Sequence, residues 1–138
     1  MANHVYPKFG EALFARALSA DIMTLDLRAI LVDTASYTYN SAHDFLDDVP
    51  AGARASVSGS LAGVTWVGGL LASSSFTFTA VPAGPACEAI ILYIHTGGAD
   101  SARRLIGYYD SGVRGLPVTP TGANIEVTVP SGWMQIGG

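Results

Sequence analysis

The chain has 138 residues, a length that suits one domain with its own core, and it carries a formal net charge of −4 with 13% charged residues. Soluble domains average about 25% charge, so both a typical ionic surface and the clustered Lys and Arg needed to neutralise nucleic-acid phosphates are missing. Cys87 is the single cysteine and cannot form an intrachain disulfide. No apolar run approaches the ~18 residues of a membrane crossing, and Lys8, Glu11 and Arg16 break up any secretion-type apolar segment near the start.

In chain order, Pro7 suits a first helical turn, and Phe9, Leu13 and Ala17 with Phe14 and Leu18 share one broad face. This spacing predicts a short helix from about Lys8 to Leu18, weakened by Gly10 at a cost of up to ~1 kcal/mol. From Leu25 the period becomes two: Leu25, Leu27, Ala29 and Leu31 alternate with Asp26, Arg28, Ile30 and Val32. That pattern predicts a strand that becomes buried on both faces at its end. Ser41-Ala42-His43-Asp44 fits a capping box, predicting a short helical turn near 41–48, with Asp47, Asp48 and Pro50 ending it.

Short apolar or alternating runs then follow near Arg54–Leu61, Val64–Val67, Ser75–Val81, Glu88–His95, Arg103–Asp110 and Asn124–Val129, separated by Gly, Pro, Asn and Ser turn signals. The fold class expected is mainly β, an antiparallel β-sandwich or barrel-like sheet with that N-terminal helix, in a single domain over 1–138. Phe76-Thr77-Phe78-Thr79 and Ile125–Val129 alternate as half-buried strands. Ala89–Ile94 is apolar throughout and is expected at the middle of the fold.

The most informative segment lies between Arg54 and Glu88. Its 33 residues, Ala55 to Cys87, contain no Asp, Glu, Lys, Arg or His. Strand edges normally carry charge that stops them pairing with other chains, so a charge-free β segment implies a surface that neighbours cover. Trp66, Phe76 and Phe78 within it are expected to bury apolar area against partners or against the domain's own core.

Enzymatic chemistry finds no foothold. Asp44, Asp47 and Asp48 beside His43 lack the order of a calcium loop, and His4, His43 and His95 lack zinc-ligand spacing. Cys87 has no basic neighbour to activate it, and no Gly-x-Ser-x-Gly elbow is present. Gly68-Gly69 and Gly97-Gly98 lack the phosphate-loop pattern and read as hairpin turns in which Gly supplies positive φ. No catalytic residue, metal or cofactor is therefore expected. Tyr37, Tyr39 and Trp66 are candidate contact anchors or sugar platforms. Arg103 and Arg104, the only adjacent cations, are candidates for pairing with acids of a neighbouring subunit or for an exposed pair at a strand start.

Several segments together resemble a family of small tailed-bacteriophage virion proteins: 1–9 (MANHVYPKF), 31–39 (LVDTASYTY), 42–50 (AHDFLDDVP), 76–81 (FTFTAV), 88–93 (EAIILY), 104–110 (RLIGYYD) and 115–120 (GLPVTP). The resemblance covers most of the chain in the same order. It implies a non-enzymatic structural role in the virion, as a head-decoration or minor capsid protein or as a minor tail protein, and brings no catalytic residues. The chain departs from the family at its end, 130–138 (PSGWMQIGG), and in its weakly charged stretch 63–75. The role expected first is a symmetric oligomer, a trimer by the logic of closed symmetry, bound to the major capsid protein on the phage head. The alternative is a tail-fibre or tip protein using Tyr37, Tyr39 and Trp66 to hold host surface glycan.

Overall fold

A computed structural model describes residues 3–14, 25–130 and 132–135 of the chain. Among these residues there are one α-helix, α1 (Pro7–Phe14), and ten strands: β1 (His4–Val5), β2 (Asp26–Val32), β3 (Arg54–Val57), β4 (Thr65–Val67), β5 (Leu70–Ala72), β6 (Phe76–Phe78), β7 (Ala89–His95), β8 (Leu105–Tyr109), β9 (Ile125–Val127) and β10 (Met134–Gln135). All named pairings are antiparallel, and they form a five-stranded sheet in the order β1-β8-β7-β2-β3, a three-stranded sheet β10-β5-β4 and a two-stranded sheet β6-β9. The fold is thus mainly β and sandwich-like, with no closed barrel among the described residues.

The apolar run Ala89–Ile94 becomes β7, the middle strand of the large sheet, and all six of its residues are buried. Only a strand covered on both faces tolerates such a run. Paired residues of antiparallel strands share a face, so the register sorts the sheet. Leu27, Ala29 and Leu31 lie on one side with Ile94, Leu92 and Ile90, and with Tyr109 opposite Ile90. Ile30 and Ile91 lie on the other side with Tyr108, and with His4 opposite Tyr108.

The two sides are covered differently. The Tyr109 side meets the small sheets: the Tyr109 ring packs edge-on against Trp133 with centroids 5.0 Å apart, and Trp133 N–H donates to the carbonyl of Leu71 on β5. Tyr109 also lies across Gly107, where a Cβ would run into its ring. Leu71, Phe78 and Val127 are buried in the same apolar cluster as the sheet. On the Tyr108 side stand Tyr6, Tyr37 and Tyr39, supplied by the end of β1 and by the excursion between β2 and β3.

That excursion is fastened by Arg54, whose Nε donates to Val49 O (3.0 Å) and whose Nη2 donates to Leu46 O (2.8 Å), while Nη1 meets Asp100 at 2.8 Å. Its helical content is two 3-10 turns, Leu46–Asp48 and Ala51–Ala53. The Ser41 capping box does not form. Instead the Asp48 carboxylate reaches back to accept from the backbone N–H of Asp44 (2.9 Å) and Phe45 (3.4 Å), and Asn40 Oδ1 accepts from Ala42 N–H at 2.8 Å. The predicted helix is found as α1, with Phe9 and Ala12 buried; the remainder to Leu18 falls outside the described residues.

Gly68 (φ 60°) and Gly69 (φ 81°) make the two-residue turn joining β4 to β5, with Val67 opposite Leu70. Both positions need positive φ, which glycine adopts without steric cost. Gly97 and Gly98 differ from the expectation: neither has positive φ, and they lie in the longer β7–β8 connection that includes the 3-10 turn Asp100–Ala102.

Candidate functional site

The charge-free stretch supplies β4, β5, β6 and all of β3 beyond Arg54. No residue of β10, β5 or β4 is ionisable, and the β6–β9 sheet carries one such group, the exposed Glu126. Among the described residues three large apolar side chains are exposed: Val5 (41%), Val57 (44%) and Val67 (74%). Each sits on an edge strand. β1 and β3 are the two edges of the large sheet, and β4 is an edge of the three-stranded sheet. An edge with an apolar side chain and no charge lacks the usual protection against pairing with another chain.

The expected contact residues divide. Trp66 is half-buried on β4, opposite Leu71. Phe76 is half-buried and stacks on Trp133 at 5.9 Å and 26°. Phe78 is 0% exposed and Tyr37 only 4%, so neither side chain can serve as a surface anchor. Phe78 lies beneath Phe76, edge-on at 5.6 Å, and belongs to the chain's own core. Arg103 and Arg104 are neither an exposed pair nor unengaged donors. Arg103 Nε donates to Thr96 O (3.0 Å) and its Nη1 meets Asp100 at 3.3 Å, while the Arg104 guanidinium lies 4.5 Å from the centroid of Phe45 and Nη1 reaches Lys8 O at 3.4 Å.

A second feature lies on the Tyr108 side, where Tyr6, Tyr37 and Tyr39 meet Tyr108 and His4. The Tyr6 and Tyr37 hydroxyls are 2.7 Å apart, and Tyr37 Oη is 2.8 Å from His43 Nδ1. The polarity of this line follows the His43 tautomer, since either tyrosine hydroxyl is able to donate or accept. Burial, followed by the hydrogen bond to Tyr37, raises the Tyr6 hydroxyl far above the usual tyrosine range. Burial likewise pushes Tyr37 up to about 12. In front of this buried line, the half-buried Tyr39 stacks on the exposed His4 at 4.1 Å and 9°. These rings border an open groove of about 360 Å³ that also takes in Thr34, Thr38, Tyr108 and Asp110.

Trp66 stands apart from this cluster, on the sheet that covers the opposite side, so the sequence-derived trio Tyr37, Tyr39 and Trp66 does not converge. His4, Tyr108 and Asp110 were not singled out from sequence for this groove; the only local signal is His4 and Tyr6 alternating on one side of a short strand. The histidines also separate. His4 and His43 both join the aromatic cluster, whereas His95 lies at the far end of β7 against Tyr93 (3.1 Å).

Within the acidic group around His43, Asp48 caps the backbone N–H groups of Asp44 and Phe45. Burial raises the Asp48 carboxyl, but the N–H groups of Asp44 and Phe45 outweigh it and the net direction is downward. Cys87 is buried with Sγ against Pro85 O (3.6 Å), and burial, with Asp33 and Glu88 nearby, pushes its thiol up to about 11. A thiol held in that direction is a poor nucleophile at neutral pH. Among the described residues no group of three or more His, Cys, Asp or Glu is placed to hold a metal ion. No protein-family model matches the sequence, and no curated protein matches it.

Proposed function

We propose that this chain is a non-enzymatic structural protein of a tailed-bacteriophage virion, a head-decoration or minor capsid protein that binds the shell surface as a symmetric oligomer and reinforces it. The observation that carries the reading is the coincidence of Val5, Val57 and Val67 with edge strands, two of them in the stretch without ionisable residues. Water-facing strands gain solubility from charge; leaving it out is tolerable where adjoining molecules replace the water. The sequence resemblance to small virion proteins supports the same role. A closed trimer would hide one such patch per copy, and the major capsid protein would cover another.

Quantitative mass spectrometry of purified particles of the encoding phage tests the proposal. Hundreds of copies per particle are expected for a shell component, and a few copies would move the chain to the tail, as a minor tail or tip protein. Absence from the particle, together with a monomer at high concentration in analytical ultracentrifugation, would overturn the structural reading.

A further inference from the structure

None of the three exposed valines lines the groove bordered by Tyr39, His4, Tyr108 and Asp110, and its chemistry narrows what it can hold. Tyr39 covers one face of the His4 ring, so the solvent exposure of His4 lies on its outer face and edge. Tyr39 is held from behind by Tyr6 (5.1 Å, 44°) and flanked by Tyr108 (5.7 Å, 44°). Tyr6 and Tyr37 are themselves locked by the hydrogen-bonded line to His43. The rings are thereby fixed before any ligand arrives, which lowers the ordering cost of binding.

Around these apolar ring surfaces stand hydroxyls and one carboxylate. Thr38 is exposed at the rim. Asp110, one residue past the end of β8, borders the groove together with Tyr108. Asp110 is half-buried and borders both this groove and the neighbouring pocket of Glu88, Ser111 and Pro117, and its buried Oδ1 has no hydrogen-bond partner among the described residues. Burial, then the nearby carboxylates of Asp110 and Glu88, raises the Tyr108 hydroxyl above the usual tyrosine value. No Lys or Arg is among the described residues lining the groove.

Phosphates, sulfates and acidic sugars are disfavoured here because nothing offsets their charge against Asp110 and a net charge of −4. A purely apolar ligand would strand the carboxylate and hydroxyls without partners. A neutral pyranose satisfies both demands, with C–H faces for the rings and vicinal hydroxyls that donate to a carboxylate. At about 360 Å³ the groove falls near the lower end of ligand sites and accommodates one or two sugar units. We infer that this groove binds a neutral hexopyranose unit of an oligosaccharide, with the outer face of His4, backed by Tyr39, as the platform and Asp110 as the hydroxyl acceptor. The inference is independent of where in the virion the chain sits.

The test titrates the 15N-labelled full chain with maltose, lactose and N,N′-diacetylchitobiose at millimolar concentration, with 3′-sialyllactose as the anionic comparison, and follows amide shifts. The expected result is saturable movement of the Thr38, Tyr39 and Asp110 amides with at least one neutral disaccharide. Asp110→Asn and Tyr39→Ala are each expected to weaken binding about tenfold, while Trp66→Ala leaves it unchanged. Mapping on the unmodified chain keeps the test decisive even if Tyr39→Ala fails to fold. The inference is overturned if no neutral sugar moves these amides, if the shifts centre on Trp66, or if sialyllactose binds equally well. It is also overturned if the groove amides move with protein concentration alone, since the groove would then be a protein–protein contact.

Discussion

The two sides of the five-stranded sheet solve one problem with different chemistry. On the Tyr109 side the small sheets cover it with apolar rings and aliphatic chains, Phe78, Leu71, Val127 and Trp133, and those sheets carry one ionisable strand residue, Glu126. On the Tyr108 side the cover is polar and aromatic, a hydrogen-bonded line through Tyr6, Tyr37 and His43. The first kind of cover is held by burial area; the second also depends on hydrogen bonds between hydroxyls. The difference also continues outward. The apolar cover presents an uncharged surface and the polar cover presents a groove, so the two sides suit different partners.

Truncating each cover should separate them, and the largest effect is expected on the apolar side. Phe78→Ala removes a fully buried ring and should cost about 3–5 kcal/mol in denaturant unfolding. Tyr6→Phe keeps the ring and deletes one hydrogen bond to Tyr37, for a loss of about 1 kcal/mol. Equal losses would erase the contrast between the two covers.

Alkali should act on buried tyrosines of both sides, because burial raises the Tyr109 hydroxyl under the small sheets as well. Tyr6, Tyr37 and Tyr108 all have hydroxyls raised above the ordinary tyrosine value. Their neutral forms are therefore favoured by folding: the contribution is fully present below about pH 10, where the unfolded chain also keeps its protons. It is lost as pH rises through the folded values, about 12 for Tyr37. Absorbance titration at the phenolate band should show these tyrosines ionising late and together with unfolding, and Tyr6→Phe should soften that alkaline transition.

The smallest effect on stability, and the most informative about function, belongs to the edges. Val67→Lys places a charge on a side chain that is already 74% exposed and should change unfolding free energy by less than about 0.5 kcal/mol. The same change should weaken self-association or particle binding, read by sedimentation, because a lysine on an edge strand opposes pairing with another chain. Unaltered association would remove β4 from the interface.

Much of the architecture was legible because its causes are local. The uninterrupted run Ala89–Ile94 announced a strand buried on both faces, and Gly68-Gly69 announced the β4–β5 turn through the φ values such a turn demands. The helical turn within 41–48 starts at Leu46 and not after Ser41, because the carboxylate that reaches back to backbone N–H groups is that of Asp48, onto Asp44 and Phe45. Only the backbone path decides which carboxylate reaches which N–H. Two-residue strands such as β1 and β10 have no periodicity to detect; they exist through their registers with β8 and β5.

Phe76 and Phe78 show why the contact residues were harder. Both lie on one side of β6, as a period of two requires, yet Trp133 partly covers the first while the core encloses the second. The groove was harder still, because His4, Tyr39, Tyr108 and Asp110 come from three separate stretches of chain.

From the amino-acid order alone came the strand-rich class, the central strand, the tight glycine turn and the segment without ionisable groups, because each follows from neighbours in sequence acting over a few residues. Tertiary structure alone decided that the exposed valines fall on edges, that Tyr37 and Phe78 are interior, and that a histidine and two tyrosines share a groove with Asp110. Exposure and convergence are set by which strands pair and what covers them, and those are sums over contacts between residues far apart in the chain.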